Sequence, residues 1–409
     1  MRGYFLKNTP EKQITFDKPK TEDFMNSFDF LIEGLKSVSW QQVVMWIVGI
    51  ILIVLAIKKE MEPALLLPMG FGAILINIPF SGAMTQNIEG ITEPVRGIVQ
   101  WLFEVGIEES EAMPLLLFIG IGAMIDFGPL LSNPKLLFFG AAAQVGIFLT
   151  IIFATLFGFG IADAASIGII GAADGPTSIL VSQVLKSKYI GAIAVAAYSY
   201  MSLVPIIQPL AIKLVTTKKE RMIKMEYNPG SVSKTTKIIF PIVVTVIAGL
   251  VAPASVALVG MLMLGNLIRE CGVLENLSET AQKALANLIT LLLGITIAAS
   301  MEASVFVTWQ TLLIMALGLF AFVFDSIGGV MFAKFVNLFL PQSKKINPMI
   351  GAAGISAFPM SSRVIQKLGL EADPTNHLLM HAVGANVSGQ IASVVAGGII
   401  LSIVPALLG

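Results

Sequence analysis

Ionisable side chains are nearly confined to one end of this chain and a few short connections. Residues 1–36 hold 12 of the 52 Asp, Glu, Lys and Arg side chains, which leaves 40 for the other 373 residues. A soluble domain carries about 25% charged residues, because its surface must meet water. Here 13% are charged and 56% hydrophobic, with a mean hydropathy of +0.85. These values exclude an ordinary soluble enzyme, a disordered chain and a nucleic-acid binder, which needs a basic surface. They define an all-α polytopic membrane protein. The formal net charge is zero, so global charge names no partner. One cysteine, Cys271, excludes an intrachain disulfide framework and a cysteine metal cluster, and two histidines argue against a His-rich site.

A plain crossing takes about 20 apolar residues, and a broken or re-entrant one fewer. Apolar segments are expected at 43–57, 63–78, 114–125, 136–157, 164–185 and 190–214, then at 238–251, 254–267, 285–300, 307–324, 328–340, 348–368 and 377–407. Residues 86–109 are mixed in character and fit the interface. Several stretches are short or rich in Gly and Pro, so about ten crossings with breaks are expected. Residues 213–237 carry seven Lys or Arg against two Glu, which places that connection in the cytoplasm. The chain then divides into a polar and amphipathic extension (1–36) with no secretory-signal pattern, a first membrane repeat (37–216), a basic cytoplasmic linker (217–236) and a second membrane repeat (237–409).

The repeat is visible in short matches. Ile170–Ala173 reads IGAA before Asp-Gly-Pro-Thr-Ser, and Ile350–Ala353 reads IGAA before GISAFPMSS. AYSYMS follows the first and VGANVS the second. Each half therefore offers a broken helix and then a helix with a polar interruption. Two copies with discontinuous helices are the pattern of a transporter whose site lies at the repeat interface near the midplane. Two inverted repeats are expected.

Asp174 is the residue that most needs an explanation. A carboxylate at bilayer depth costs at least about 2.5–3.5 kcal/mol, so it must face a cavity, an ion or a partner. Gly175-Pro176 would unwind the helix and free carbonyl oxygens, which suit Na+. The competing reading is a cap on the helix beginning at Pro176. In the matching break, Asn347 and Ser356 are neutral oxygen ligands, and Gly351 and Gly354 permit close backbone approach. Asn347 is equally suited to cap a helix at Pro348. Arg363 is a fixed cation that could grip a carboxylate, or snorkel to the interface. Tyr200, Ser202, Asn386, Ser388, Gln390 and Ser393 are polar groups on apolar helices, where bonding between helices competes with a site role. Asp126 is expected to end a helix at the interface. Glu302, Asp325 and His381 have no assigned role. Trp40, Trp46, Trp101 and Trp309 fit interfacial anchors. A P-loop, an HExxH motif and a biotin-acceptor AMKM are absent.

Longer motifs carry a resemblance. EPALLLPMGFGAILINIP (62–79), GAMIDFGPLLSNPK (122–135), GIIGAADGPTSI (168–179), GAIAVAAYSYMSLVPIIQP (191–209), GMLMLGNLIRECGV (260–273), INPMIGAAGISAFPMSSRV (346–364) and NHLLMHAVGANVSG (376–389) resemble the β subunits of the sodium-pumping biotin-dependent decarboxylases. That family serves oxaloacetate, methylmalonyl-CoA and glutaconyl-CoA decarboxylases, and the similarity runs from about residue 40 to the end. The resemblance implies a subunit that decarboxylates carboxybiotin on a partner biotin carrier and exports Na+, with a proton consumed. No biotin would be attached to this chain. It implies two inverted repeats with broken helices. The implied partners are a carboxyltransferase subunit, the biotin carrier protein, a small single-span γ or δ subunit, lipid and two further copies in a homotrimer, in the cytoplasmic (inner) membrane of a prokaryote.

Matched residue by residue, the resemblance places Asp174, Asn347, Gly351, Ser356 and Asn386 at the Na+ site. It places Arg363, Ser356 and Tyr200 in the chemistry, with Arg363 holding carboxybiotin. The chain departs from the family pattern at Ala172, Ala385 and Ser361-Ser362, which removes no proposed ligand. A secondary transporter moving a carboxylate with Na+ is the main alternative, and a structural anchor for the soluble subunits the third. Acid recognition belongs to another subunit on this reading, so the upstream acid is not written in this chain.

Overall fold

The computed structural model describes residues 34–60, 62–86, 94–110, 112–226 and 232–408. Residues 1–33 of the expected N-terminal extension lie outside that set, and residues 34–36 are helical. The described residues contain no strand; an isolated antiparallel bridge joins Gln86 to Val95. Among the described residues, six helices are long and apolar enough to cross a membrane, or seven if a bent pair counts as one span, and three shorter apolar helices accompany them. The protein is an all-α polytopic membrane protein.

Local chemistry starts and stops these helices. Helix α1 (Trp40–Lys59) is opened by a capping box. Ser39 Oγ accepts from the Gln42 amide at 3.3 Å, and Gln42 Oε1 accepts from the Ser39 amide at 2.8 Å. This satisfies donors that lipid could not. It ends at Glu60 in the left-handed region, and Pro63 opens α2 (Pro63–Ile76). The chain continues through α3 (Ala112–Met124), α4 (Leu137–Ala142), α5 (Val145–Leu156), α6 (Ile161–Gly168), α7 (Gly175–Val184) and α8 (Ile190–Val215). Helix α8 bends by 72° between Met201 and Leu203. Pro205 lies four residues beyond Met201, so it lacks the N–H that would reach the Met201 carbonyl and its ring crowds that oxygen.

The remaining helices are α9 (Lys234–Val251), α10 (Val256–Glu270), α11 (Ala286–Ile297), α12 (Trp309–Asn337), α13 (Met349–Ala352), α14 (Met360–Ala372) and α15 (Leu379–Leu408). Half of the apolar windows of α12 and α15 is buried against 11% for α9, so the first two are central and α9 presents its Ile and Val side chains outward. Trp40 and Trp309 are exposed at helix starts, where indole rings anchor at membrane interfaces.

One sequence expectation changes. Residues 307–324 and 328–340 were separate segments on composition, yet α12 runs unbroken through Gly328 and Gly329. Glycine costs a helix only about 1 kcal/mol against alanine, and here it serves packing. A Cβ on Gly329 would lie 2.0 Å from the Gly351 carbonyl oxygen, and one on Gly351 would lie 1.9 Å from that of Gly329. Small residues at such crossings are what hold helices together where lipid removes the hydrophobic drive. Residues 86–109 form a short helix (Ile98–Phe103) and a π turn (Glu104–Glu108) beside the bridge; residues 87–93 lie outside the described set.

Both IGAA segments end at a break. Helix α6 tightens into a 3-10 turn at Ile169–Ala172, stops at Ala173 in the left-handed region (φ 53°), and restarts as α7. Helix α13 stops at Ala352, and α14 begins at Met360. Both segments pack on α12: Gly171 lies against Ala321 and Asp325, and Gly351 against Gly329.

Candidate functional site

The two breaks meet. The Ser356 amide donates to the Ala172 carbonyl at 2.9 Å, directly joining one interruption to the other. Asp174 is buried beside this contact. Its Oδ2 accepts from Thr177 Oγ1 at 2.7 Å, Ser393 Oγ at 2.9 Å and Ser356 Oγ at 3.3 Å. Oδ1 accepts from the Thr177 amide at 3.4 Å. Asp174 is thus the cap of α7, and it is also held by hydroxyls from two distant segments. Ser393 Oγ lies 3.1 Å from Ser356 Oγ, so carboxylate and hydroxyls form one connected group.

Helix α15 supplies the props for the second break. Asn386, Gln390 and Ser393 recur at the four- and three-residue spacing that keeps side chains on one helix face. Asn386 Nδ2 donates to the Ala353 and Ile355 carbonyls at 3.1 and 2.7 Å. The Gln390 amide donates to the Ser356 carbonyl. These amides replace the helical partners lost at the break. From the other side, Gln208 Nε2 reaches the Ala352 carbonyl at 2.8 Å.

Asp174, Ser356 and Gln390 line a cavity of about 490 Å³, together with Tyr198 and, on its remaining wall, Glu62 and Thr290. Among the described residues, the lining contains two carboxylates and no Lys, Arg or His. Tyr198 stands so close to the break that a Cβ on Gly175 would fall 2.2 Å from its ring. The cavity wall includes Met124, whose carbonyl accepts from Arg269 Nη1 at 2.7 Å. Neighbouring Asp126 pairs with Lys237 at 3.3 Å and caps the Gly128 amide at 2.8 Å. It ends α3 as expected, and this end of the cavity adjoins the basic connection.

The residues singled out in the sequence fall into two groups. Asp174, Ser356, Gln390 and Ser393 are brought together, and Asn386 supports them through carbonyls. The others stand elsewhere. Asn347 donates to the Arg221 and Ile223 carbonyls at 2.9 and 2.8 Å and accepts from the Met349 amide at 3.1 Å, so it ties the linker to α13. Gly351 is occupied by its crossing with Gly329. Tyr200 donates to the Met315 carbonyl on α12 and does not line the cavity. Arg363 is exposed on α14 in a shallow groove with Gln366 and Lys367, and it forms no ion pair with a described residue. The Ser388 hydroxyl donates to the Leu136 and Ala385 carbonyls. The Ser202 side chain lies outside what is described. His381 sits against the Met225 and Glu226 backbone. Buried Asp325 accepts from the Ile147 amide at 3.2 Å, across the start of α5.

Sequence reasoning did not find Thr177, Tyr198 or Glu62. Thr177 follows Asp174 at the spacing of a capped first turn, a signal that was available. Tyr198 and Tyr200 share one motif, and two residues apart on a helix they face nearly opposite ways, so the sequence alone does not choose between them.

Three hydroxyls and one backbone amide surround the Asp174 carboxylate. No group of three or more His, Cys, Asp or Glu suited to a metal occurs among the described residues. One carboxylate with several hydroxyls fits a hard monovalent cation better than a zinc- or iron-type ion. Broken helices that meet around a buried acid are features of an integral-membrane protein with a polar centre. The sequence profile of the Na+-transporting oxaloacetate decarboxylase β subunit matches residues 41–404. The chain is 48% identical over 386 residues to the methylmalonyl-CoA decarboxylase β subunit of Propionigenium modestum, covering 90% of this chain and 96% of that protein. It is 47% identical over 371 residues to the glutaconyl-CoA decarboxylase β subunit of Acidaminococcus fermentans, covering 91% and 95%. It is 44% identical over 437 aligned positions to the oxaloacetate decarboxylase β chain of Klebsiella pneumoniae, covering 94% and 100%. The chain belongs to the family of Na+-transporting decarboxylase β subunits and is a membrane subunit of a decarboxylase.

Proposed function

We propose that this subunit decarboxylates carboxybiotin presented by a partner biotin carrier and couples that step to Na+ export, with one proton consumed. The observation that carries this reading is the Asp174–Ser356–Ser393 group at the meeting of the two breaks. Its cavity has no cationic side chain among the described residues, so a transported cation can take that place. Asp174 supplies the negative charge, and Ser356, Ser393 and Thr177 supply neutral oxygens already turned toward it. Asn386 acts as a positioning residue by fixing the carbonyls of the second break. Tyr200 acts at one remove, holding α8 to α12 beside the first.

The chemistry needs a grip on an anion and a source of one proton. The bond from the biotin nitrogen to the carboxylate breaks, CO2 leaves, and that nitrogen gains a proton. Arg363, exposed and without an acidic partner among the described residues, receives the carboxylate at the surface. Ser356, in contact with Asp174 and Ser393, belongs to a hydroxyl chain that can move the proton when Na+ enters.

The helix after each break packs on both long polar-interrupted helices, α7 on α8 and α15 and α14 on α15 and α8, an arrangement compatible with the expected inverted repeat. The basic linker is assigned to the cytoplasm of a prokaryotic cell, with repeats of 37–216 and 237–409 on either side of 217–236. The carboxyltransferase, the biotin carrier, a single-span γ or δ subunit and two further copies complete the assembly.

The test is Asp174→Asn in the assembled complex. Na+-stimulated decarboxylation should fall by more than about a hundredfold, since loss of a charged ligand exceeds the 10–100-fold effect of outer-shell partners. Assembly, checked by size-exclusion chromatography, should persist. Na+-dependent turnover in this variant would remove Asp174 from the site.

A further inference from the structure

The cavity contains a second carboxylate, and its state differs from that of Asp174. Glu62 precedes α2 in the left-handed region, at φ 37° and ψ 57°. A residue with a side chain takes that conformation at a cost. The Glu62 side chain nevertheless makes no capping bond to the helix it precedes, and it has no side-chain hydrogen bond or ion pair with a described residue. The backbone in this conformation places a carboxylate on the wall of the Asp174 cavity, with no partner among the described residues. Asp174 is the reverse: three hydroxyls and an amide already converge on it.

An enclosed space lined by charge of one sign concentrates the opposite ion, because low-dielectric walls focus the field. With two carboxylates and no cationic side chain in its lining, this cavity draws cations along its length. We propose that Glu62 is the loading carboxylate of the transport path: the cation pairs first with Glu62 and then passes to Asp174. This rests on the reading of Asp174 as the cation site. The partnerless acid exchanges its ion readily. The preassembled acid holds the ion while the breaks rearrange.

The experiment measures Na+-dependent decarboxylation by the intact complex in liposomes. In Glu62→Gln the Na+ concentration for half-maximal rate should rise about tenfold at low ionic strength, with a smaller fall in maximal turnover. The gap should close when choline chloride raises the ionic strength to about 0.5 M, where screening reaches only a few ångströms. Glu62→Asp, which keeps the charge, should restore most of the difference. A merely structural glutamate would give a defect that salt does not close. An unchanged Na+ requirement in Glu62→Gln, or one raised equally at both ionic strengths, overturns the proposal. If Glu62→Gln does not assemble, Thr290→Lys places a fixed cation in the same cavity and must raise the Na+ requirement in the same salt-sensitive way; no rise overturns the proposal. Asp174→Asn, measured alongside, separates the two claims. An inactive Asp174→Asn with an unchanged Na+ requirement in Glu62→Gln removes Glu62 alone, whereas Na+-dependent turnover in Asp174→Asn removes the reading beneath it.

Discussion

The two helix breaks solve the same problem with different chemistry. The first spans two residues, Ala173 and Asp174, and is closed locally when Asp174 caps the helix it introduces. The second spans 353–359 and carries no charge, and its carbonyls are met by amides from elsewhere: Asn386 and Gln390 on α15, with Gln208 bonding just before it on α8. One break therefore brings a full negative charge and the other brings dipoles. On the proposed reading, a monovalent cation would be neutralised once, by the first, and its remaining positions filled by oxygens of the second. Two acids at such close quarters would repel each other, and two neutral breaks would leave the ion's charge unmet. The asymmetry also separates rigidity from adaptability. The first break is held by its own sequence, whereas the second depends on α15 and can respond to anything that moves that helix.

The largest effect after loss of the acid itself is expected at the hydroxyl that joins the two breaks. Ser356→Ala removes an oxygen next to Asp174 but keeps the amide contact to Ala172. The Na+ requirement should rise about 10–100-fold, read from the Na+ dependence of turnover. Tyr200→Phe is the contrasting hydroxyl. Its loss breaks one bond to the Met315 carbonyl and should cost about 1 kcal/mol of stability, seen as a lower Tm with an unchanged pH–rate profile. If Tyr200→Phe shifts that profile and Ser356→Ala does not, the proton path runs by the tyrosine and the two roles must be exchanged.

A smaller effect is expected outside the cavity. Arg363→Lys keeps a positive charge on α14 but loses the planar fork. Turnover of carboxybiotin should fall about tenfold, the equivalent of 1.4 kcal/mol, while the Na+ requirement stays near that of the unmodified protein. A parallel rise in the Na+ requirement would mean that Arg363 belongs to the second break rather than to an anion site at the surface.

These distinctions also mark what could be read from residues alone. The breaks were legible because Gly-Pro follows Asp174 and because IGAA occurs twice, each time where the helix ends. Asp174 was legible because an acid in an apolar run demands a partner. The partners were not: Ser393 lies 219 positions from Asp174, and only the folded chain says that α15, rather than another polar helix, meets it. Glu62 was hidden for the opposite reason. It sits beside Lys58, Lys59 and Glu60, where a charge is ordinary, so nothing local separates an interfacial acid from one facing a cavity. Gly328 and Gly329 misled in a third way, since glycine suits a break and a tight crossing equally well, and α12 uses it for the second.

The smallest expected effect lies in the connection between the halves. Lys224 pairs with Asp373 at 3.1 Å and donates to Thr375 at 2.6 Å, while Asn347 and Asn376 both bond the Arg221 carbonyl. The linker is thereby fastened to the second half, next to the start of α15. The Thr375 amide and hydroxyl, with Lys224, hold the Asp373 carboxyl down from 3.8 to about 2. A depressed carboxyl stabilises the folded contact at every pH above its ordinary value, and that contribution is lost as the pH falls from 3.8 toward 2. Pepsin cleavage within 213–237 should therefore quicken over that window in the unmodified protein. In Asp373→Asn cleavage should already be quicker at pH 4 and should change less below it. The pair is exposed, so the difference should be modest, and decarboxylation at neutral pH should be unaffected because neither residue touches the cavity. Identical cleavage in the two proteins would show that the Asn347 and Asn376 bonds fasten the linker unaided. Cleavage only from the exterior of sealed, right-side-out vesicles would reverse the assigned orientation, and with it the face from which the carrier must approach.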